Sequence, residues 1–459
     1  MGFKRALASA FIIIAAGTVV AKADSLADAM AGAYGNSGLI EQNRALLRVA
    51  DENVAQATAG LRPIISWSTE MRRNYSIEPT SSVSTTALAG LNLTWTILDN
   101  GTKTYGRERL KQSVLITRES LVAVEQNVLL SAVRSFMDVR RDSEIVALRQ
   151  NNLRVITREL RAAEDRFDVG EVTRTDVALA QARLAGARAE LAVAQGNLMA
   201  SQAAYAAAVG RSPVNLIPPR QLPRLVRSSD EALAFALKSH PDMKAAQFGV
   251  SEAEYGILEA RASMMPSGEL TASIEKQNRY GSSFDPVTGG VSLRVGGPLY
   301  AGGRIASATR QATARRDAAR AGLHATSQSI RQNVGFAWSQ LLSARAQREA
   351  SGRQITAARV AFDGVREEAK LGSRTTLDVL NAEQELLDAQ ANMITAQSAE
   401  FTAAYSVLAS MGLLTADYLN LAVEKYDPEA YYNQVKSAPA ALSKQGRQLD
   451  QLLRRIGKE

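Results

Sequence analysis

Along the middle of each half of the chain, apolar side chains recur every seven residues. Val139, Val146, Leu153, Leu160 and Phe167 form one series. Val177, Leu184, Leu191, Leu198 and Tyr205 form a second, and Leu380, Leu387, Ile394, Phe401 and Leu408 a third. Strict sevens draw a narrow seam along a helix and predict left-handed coiling against a neighbouring helix. Elsewhere the period is two. Ile65, Trp67, Thr69, Met71 and Tyr75 share one side of a segment whose other side carries Ser66, Ser68, Glu70, Arg72 and Asn74. Val83, Ala87, Leu91, Leu93, Trp95 and Ile97 alternate with polar residues in the next segment. In the second half Leu270, Ala272, Ile274 and Tyr280, then Val287, Val291, Leu293 and Val295, do the same. Arg73 and Lys276 interrupt the apolar sides and read as rim positions or as side chains that snorkel.

Such alternation suits any half-buried antiparallel sheet. Segments of about 10 to 15 residues are, however, long enough to cross a bilayer when tilted. Trp67, Tyr75, Trp95, Tyr280 and Tyr300 stand toward the segment ends, where an interfacial aromatic girdle would lie. Four strands cannot close a barrel, and an unpaired backbone edge in hydrocarbon costs several kcal/mol per group. Copies of the chain are therefore expected to pool their strands; the pattern does not fix how many.

The two halves are one unit repeated. Ser25-x-x-Asp28 returns 203 positions later as Ser228-x-x-Glu231, each in the capping-box pattern, and Pro63 returns as Pro266. At an offset of 202, Gly101 matches Gly303, Gly170 matches Gly372, Asp176 matches Asp378 and Gly210 matches Gly412. Each unit reads as helix, two strands, a very long helix, a tight turn and another long helix. No proline occurs between Pro79 and Pro213 or between Pro298 and Pro428, and none would be tolerated inside a helix at about 3 kcal/mol each. Arg107 to Val169 also lacks glycine and would span roughly 95 Å as a helix. The matching segment contains Gly322, Gly335, Gly352 and Gly364, which would permit a bend.

Composition agrees with packing along a seam rather than around a large core: aromatic residues make up 5% of the chain while alanine is abundant. Lys4 and Arg5, the uncharged apolar stretch Ala6 to Val20 and the small-x-small sequence Ala21-Lys22-Ala23 read as a secretory signal cleaved before Asp24. The formal charge of +8 falls to +5 without that segment, because 51 basic residues then face 46 acidic ones. Bases and acids are interspersed along the helices, so solvated faces are expected and no nucleic acid. With no cysteine, disulfides, thiolate metal sites and N-terminal lipidation are excluded. His240 and His324 stand far apart, outside any metal-binding spacing. No metal, no cofactor and no enzymatic activity are expected, since acids, bases and nucleophiles converge in no recognisable motif.

The turn sequences point to a family. Leu371-Gly372-Ser373-Arg374-Thr375-Thr376, followed by Leu377-Asp378-Val379-Leu380-Asn381-Ala382-Glu383-Gln384, closely resembles the second helix–helix turn of TolC-type outer-membrane efflux proteins. Val169-Gly170-Glu171-Val172-Thr173-Arg174-Thr175-Asp176-Val177 resembles the first, and Pro298-Leu299-Tyr300-Ala301-Gly302-Gly303-Arg304 resembles the strand-to-helix junction. The resemblance runs from about Ser25 to Leu414. It implies a mainly helical fold with a β-barrel contribution: a homotrimer whose three chains give four strands each to a 12-stranded transmembrane barrel that continues into a periplasmic α-barrel. It implies residence in the outer membrane of a Gram-negative bacterium, contact with outer-membrane lipid, and an exit duct for type I protein secretion, multidrug efflux, or both. The implied partners are a periplasmic adaptor (membrane fusion protein) and an inner-membrane ABC, RND or MFS transporter. Without a lipidation cysteine the chain resembles the TolC branch rather than the lipoprotein branch. The expected division is a signal peptide at 1–23, a first repeat at 24–210, an equatorial linker at 211–227, a second repeat at 228–412, and an equatorial segment at 413–459 ending in a disordered basic tail. Strands are expected at about 64–97 and 268–299, and long helices at about 102–169, 175–209, 304–371 and 376–411.

Residue by residue, the resemblance makes Asp378 and Asn381 the pore constriction. Asp176, Thr175 and Arg374 become contacts that hold the entrance shut, and Val169, Gly170, Leu371 and Gly372 the turns that meet the adaptor. Asn381 stands where the family often carries a second aspartate, and Ala369 where it often carries a locking tyrosine, which implies a weaker cation trap and a differently latched gate. A simpler account competes. Thr173-x-x-Asp176 and Thr375-x-x-Asp378 are capping boxes, and an acid in the first helical turn gains about 0.3–1 kcal/mol from the helix dipole with no pore role. Two other classes also stay open: a periplasmic adaptor, which would show one hairpin and a lipoyl-like domain, and a coiled-coil scaffold without a pore.

Overall fold

A computed structural model of the chain describes residues 24–77, 82–281 and 284–457, so the expected signal segment lies outside the described residues. The first repeat opens with α1 (Leu26–Asn36) and α2 (Gly38–Ala59), and the second with α5 (Ser229–Ser239) and α6 (Pro241–Ala262). The single opening helix expected in each unit is thus two. Ser37 interrupts the first by turning extended and capping α2 through its side chain, which accepts from the Ile40 N–H. In the second, Pro241 occupies the first helical position and pushes His240 to φ −62°, ψ 134°, the extended region that a residue preceding proline favours.

The strands β1 (Ile64–Ser76), β2 (Ser82–Leu98), β3 (Ser267–Arg279) and β4 (Val287–Gly296) form one antiparallel sheet in the order β1-β2-β3-β4. The β2–β3 pairing therefore joins the two repeats. Its register aligns the apolar sides across all four strands: Ile65 lies opposite Leu93, Leu93 opposite Ala272 and Ala272 opposite Val291. The neighbouring row runs Trp67, Leu91, Ile274, Gly289. The polar side runs Ser66, Asn92, Ser273, Gly290. One correction to the alternation follows from a shift of register between Thr96 and Leu98, which places Leu98, not Ile97, opposite Gly268 and so next to Val295. Among the described residues, the outer strands β1 and β4 have no partner on their far sides.

From the sheet the chain enters α3 (Thr102–Asp168) and, in the second repeat, α7 (Arg304–Lys370), each 67 residues long. Both start at a left-handed glycine, Gly101 at φ 89° and Gly303 at φ 80°. At the first junction the Asp99 carboxylate accepts from the N–H groups of Gly101 (3.0 Å) and Lys103 (2.8 Å), supplying the cap that glycine lacks. Despite its four glycines α7 is one uninterrupted helix. Helix α4 (Arg174–Val209) packs back along α3, and α8 (Thr376–Ser410) along α7. None of the helices among the described residues is long and apolar enough to cross a membrane.

Two narrow cores run where several helices meet. One gathers Leu129, Val133 and Phe136 of α3 with Tyr205 of α4 and Leu408 of α8; the rings of Phe136 and Tyr205 lie 6.5 Å apart. The other joins Val334 and Leu341 of α7 to Val407 and Met411. Alanines fill the remaining contacts, as the composition requires for close helix approach. The chain exposes 28624 Å², against roughly 17,000 Å² for a compact monomer of its mass. That excess comes from long helices that share only narrow cores. The C-terminal segment corrects another expectation. It forms α9 (Pro428–Val435) and α10 (Lys444–Gly457), with Leu449 and Leu452 packed on Tyr431, Val435 and Ala55 of α2; of the basic end expected to be disordered, 454–457 belong to α10 and 458–459 lie outside the described residues.

Candidate functional site

The end of the molecule farthest from the sheet is made of two helix–helix turns with the same construction. After α3, Val169 precedes Gly170 at φ 82°, and the Glu171 N–H bonds to the Arg166 carbonyl at 2.9 Å. After α7, Leu371 precedes Gly372 at φ 79°, and the Ser373 N–H bonds to the Glu368 carbonyl at 3.1 Å. Both closures satisfy carbonyls that a helix end leaves orphaned, and both need a left-handed residue where a side chain would strain the backbone. The apolar residues Val169 and Leu371 are left 71% and 85% exposed at the tips.

The next helix starts with a reciprocal cap in each case. The Thr173 N–H and hydroxyl donate to one oxygen of Asp176 at 2.9 and 2.7 Å, and those of Thr375 to one oxygen of Asp378 at 3.0 and 2.8 Å. These bonds stabilise the charged form, so both carboxyls sit below their ordinary range: the hydroxyl bond leads for Asp176, the backbone bond for Asp378. Both acids are thus firmly ionised and fixed in direction by the caps. Capping and a pore role are compatible, since each carboxylate has a second oxygen free for other contacts. Thr175 stands exposed at the second position of α4. Arg374 reaches back over its own turn, its Nε donating to Glu368 at 2.8 Å, and this bond holds the guanidinium above its usual range.

Asn381 has a partner that the sequence did not disclose. Arg183, on α4 of the first repeat, donates to its side-chain oxygen at 2.7 Å and so ties the two hairpins together near the tips. A further tie lies higher, where Arg149 of α3 forms an ion pair with Glu190 of α4 at 2.7 Å and, across to the second hairpin, with Asp388 of α8 at 3.9 Å. Between these ties Glu383 is buried, with one carboxylate oxygen unpartnered. Burial first, then the charge of Glu159 on α3, pushes it up to about 7, against the opposing pull of Arg366 and Arg158. Glu383 sits between Leu380 and Leu387 on the heptad seam; an acid at a seam position was the signal available in the sequence. Glu400, farther along α8 and 2% exposed, is by contrast clasped by Arg345 at 3.4 Å and Arg348 at 3.2 Å.

At the other end, the five aromatics are all exposed on the single chain. Trp95 and Tyr300 lie at the base of the sheet, where the Trp95 indole N–H donates to the Leu61 carbonyl at 3.3 Å. Trp67 stands three residues into β1, and Tyr75 and Tyr280 stand at the hairpin end. Arg73, read as a rim side chain, lies over the Tyr75 ring at 5.4 Å.

The family model for outer membrane efflux proteins matches residues 32–211 and 233–413, one match on each repeat. The chain belongs to the outer membrane efflux protein family. Its relatives include the outer membrane efflux protein BepC of Brucella suis, 36% identical over 430 residues and spanning 92% of this chain and 94% of that one. The alkaline protease secretion protein AprF of Pseudomonas aeruginosa is 25% identical over 287 residues, 60% of this chain and 59% of its own. Among solved structures, the CmeC outer membrane channel of Campylobacter jejuni superposes with a TM-score of 0.75 over 90% of each chain at 16% identity, a likeness of fold. Family membership places this protein in the outer membrane, with the sheet as its membrane part and the helical hairpins in the periplasm.

Proposed function

We propose that three copies of the chain pool their sheets into a 12-stranded barrel (3 × 4) and that the duct so formed is the exit for type I secretion, drug efflux or both. One observation carries the reading: a four-stranded sheet, apolar along one side, whose outer strands β1 and β4 are unpaired. In hydrocarbon those edges require partners, and sister chains supply them without leaving any edge. The excess surface of the helices fits the same assembly, because the hairpins would close a periplasmic tunnel only by packing on neighbours.

Within that trimer Asp378 repeats three times around the axis and makes a ring of ionised carboxylates that draws cations. Asn381 follows it as a neutral second ring. Asp176, Thr175 and Arg374, whose bonds in the single chain stay within their own turns, hold the entrance by contacts made in the assembled trimer, and the exposed Val169 and Leu371 with their glycines are the surface offered to a periplasmic adaptor. The adaptor couples the duct to an inner-membrane ABC, RND or MFS transporter, which chooses the cargo. The relatives' names span efflux and protease secretion, and both remain within the proposal. The aromatics Trp67, Trp95, Tyr300, Tyr75 and Tyr280 mark the two lipid interfaces.

The test is direct. Mature protein extracted in detergent should have the mass of three chains and should give discrete conductance steps in planar bilayers. A water-soluble monomer that never conducts would overturn the proposal.

A further inference from the structure

The turn between α9 and α10 lies at the foot of the sheet, and it is built unlike a solvent loop. β1 starts at Ile64, two residues after Arg62. The Arg62 guanidinium donates through Nη1 to the Ala438 carbonyl at 3.1 Å and through Nη2 to the Ser437 carbonyl at 2.6 Å, so the turn is fastened to the base of the first strand. Ala438 itself is held at φ 46°, a left-handed conformation that a residue with a Cβ rarely adopts unless its surroundings impose it. On the far side the Ser443 hydroxyl donates to the Ala440 carbonyl at 2.6 Å and accepts from the Gly446 N–H at 2.9 Å, which closes the turn onto α10. The shape is fixed at both ends.

What this fixed shape presents is apolar. Ala438 packs inward on the cluster of Tyr431, Val435 and Leu449, while Ala440, Ala441 and Leu442 are exposed, Leu442 at 91%, and none of 438–442 carries a polar side chain. Cations surround them. Lys436 and Lys444 flank the turn, Arg447 follows, and Arg62 spends its donors on carbonyls rather than on a carboxylate. No Asp or Glu occurs between Glu429, which pairs with Arg118, and Asp450; Lys436 donates to the Asn433 side chain at 2.8 Å and lies over the Tyr432 ring at 5.9 Å, neither of which neutralises it. Beside the turn the apolar side of the sheet is itself exposed, Ile64 at 59% and Ile65 at 69%. An apolar tip flanked by cations that form no ion pair among the described residues, continuous with a membrane-facing surface, has the chemistry of an interfacial anchor.

We propose that the 438–442 turn is a membrane foot that dips into the periplasmic leaflet of the outer membrane and takes anionic phospholipid as its partner. Leu442, Ala440 and Ala441 enter the headgroup boundary while Lys436, Lys444 and Arg447 bind the lipid phosphates. Three such feet would brace the barrel against tilting. The inference rests on the barrel lying in the bilayer, so its test carries a probe for each.

The chain has no cysteine, so Ala441→Cys gives one labelling site per chain and keeps Leu442. An environment-sensitive fluorophore there, in trimers reconstituted into phosphatidylethanolamine–phosphatidylglycerol vesicles, should be quenched by lipid-borne quencher roughly twofold or more above a label at Met199→Cys on α4. Leu442→Asp in the same background should remove the difference. Replacing Lys436 and Lys444 by Gln should lower quenching in the anionic vesicles but not in phosphatidylcholine. A label at Leu91→Cys, on the apolar side of the sheet, reports the barrel. If Leu91 is quenched and position 441 is not, the foot is refuted and the barrel stands; if neither is quenched, both fall. A blue-shifted signal at 441 in lipid-free amphipol, without quenching in vesicles, would place the turn on a neighbouring subunit and refute the foot. Quenching unaffected by the lysine changes would refute the choice of anionic lipid.

Discussion

Replacing Glu383 by Gln should stabilise the entrance hairpins at neutral pH and remove most of their pH dependence. In the folded chain burial raises this carboxyl from an ordinary 4.5 to about 7. An acid whose folded value lies above its unfolded one binds more protons when folded, so folding weakens as pH rises. The penalty is absent below 4.5, grows by about 1.4 kcal/mol per pH unit across the window, and is complete above 7. Moving a carboxyl over that interval amounts to about 3 kcal/mol, an upper figure for local opening of α8 and equivalent to about a 300-fold loss of protection. Little screening offsets it, because the residue is only 8% exposed. Asp51, on α2, is also pushed up to about 7 by burial and would contribute to any global melting curve in the same window. The measurement must therefore be local. Amide hydrogen exchange over α8, corrected for intrinsic rates, should show protection falling from pH 4.5 to 7 in the wild type and flat in Glu383→Gln. Identical pH profiles in the two proteins would refute the reasoning.

Asp378→Ala removes both the acidic half of the capping box and the carboxylate's second oxygen: the start of α8 should fray, and cation preference should fall in single-channel recordings. Unchanged selectivity would leave the acid with its cap alone. Gly372→Trp forces a bulky side chain into a left-handed position at an open tip, so export should fail while trimers persist in the membrane, as native gels and an efflux assay would report. Export that survives would move adaptor docking away from this turn. Phe136→Ala empties a fully buried site against Tyr205 and should cost about 3–5 kcal/mol, read as a lower denaturant midpoint of the detergent-solubilised trimer.

Much of the architecture was legible because it rests on periodicity. The heptads beginning at Val139 and Leu380 mark seams that the helices cover except at the tip, where Phe167 is 42% exposed, and the alternation Trp67, Thr69, Met71 marks the apolar side of a strand without any tertiary information. Thr173 and Thr375 announced their caps three residues ahead. What escaped notice depends on local chemistry or on distant partners. The helix breaks at Ser37 and before Pro241 are cap and proline effects, visible in principle but overridden by the Ala-rich pattern around them. The register shift at Ile97 is a property of two strands, not one, and cannot be read from either alone. Arg183 and Asn381 lie 198 positions apart, and no spacing rule joins them. The helix α10 was not expected, because its apolar residues Leu449 and Leu452 find their cover on α2 and α9, far away in the sequence or in a helix too short to announce itself.

The equal lengths of α3 and α7 act as a caliper. Sixty-seven residues at 1.5 Å rise measure about 100 Å, and both hairpins leave the same sheet, so their turns arrive at one depth. A heptad inserted into α3 alone would drop one turn roughly 10 Å below its counterpart and spoil the even rim on which any docking partner must sit. The reach of the tunnel can thus change only by matched edits: seven residues added to both members of a hairpin, and the same seven to the other hairpin.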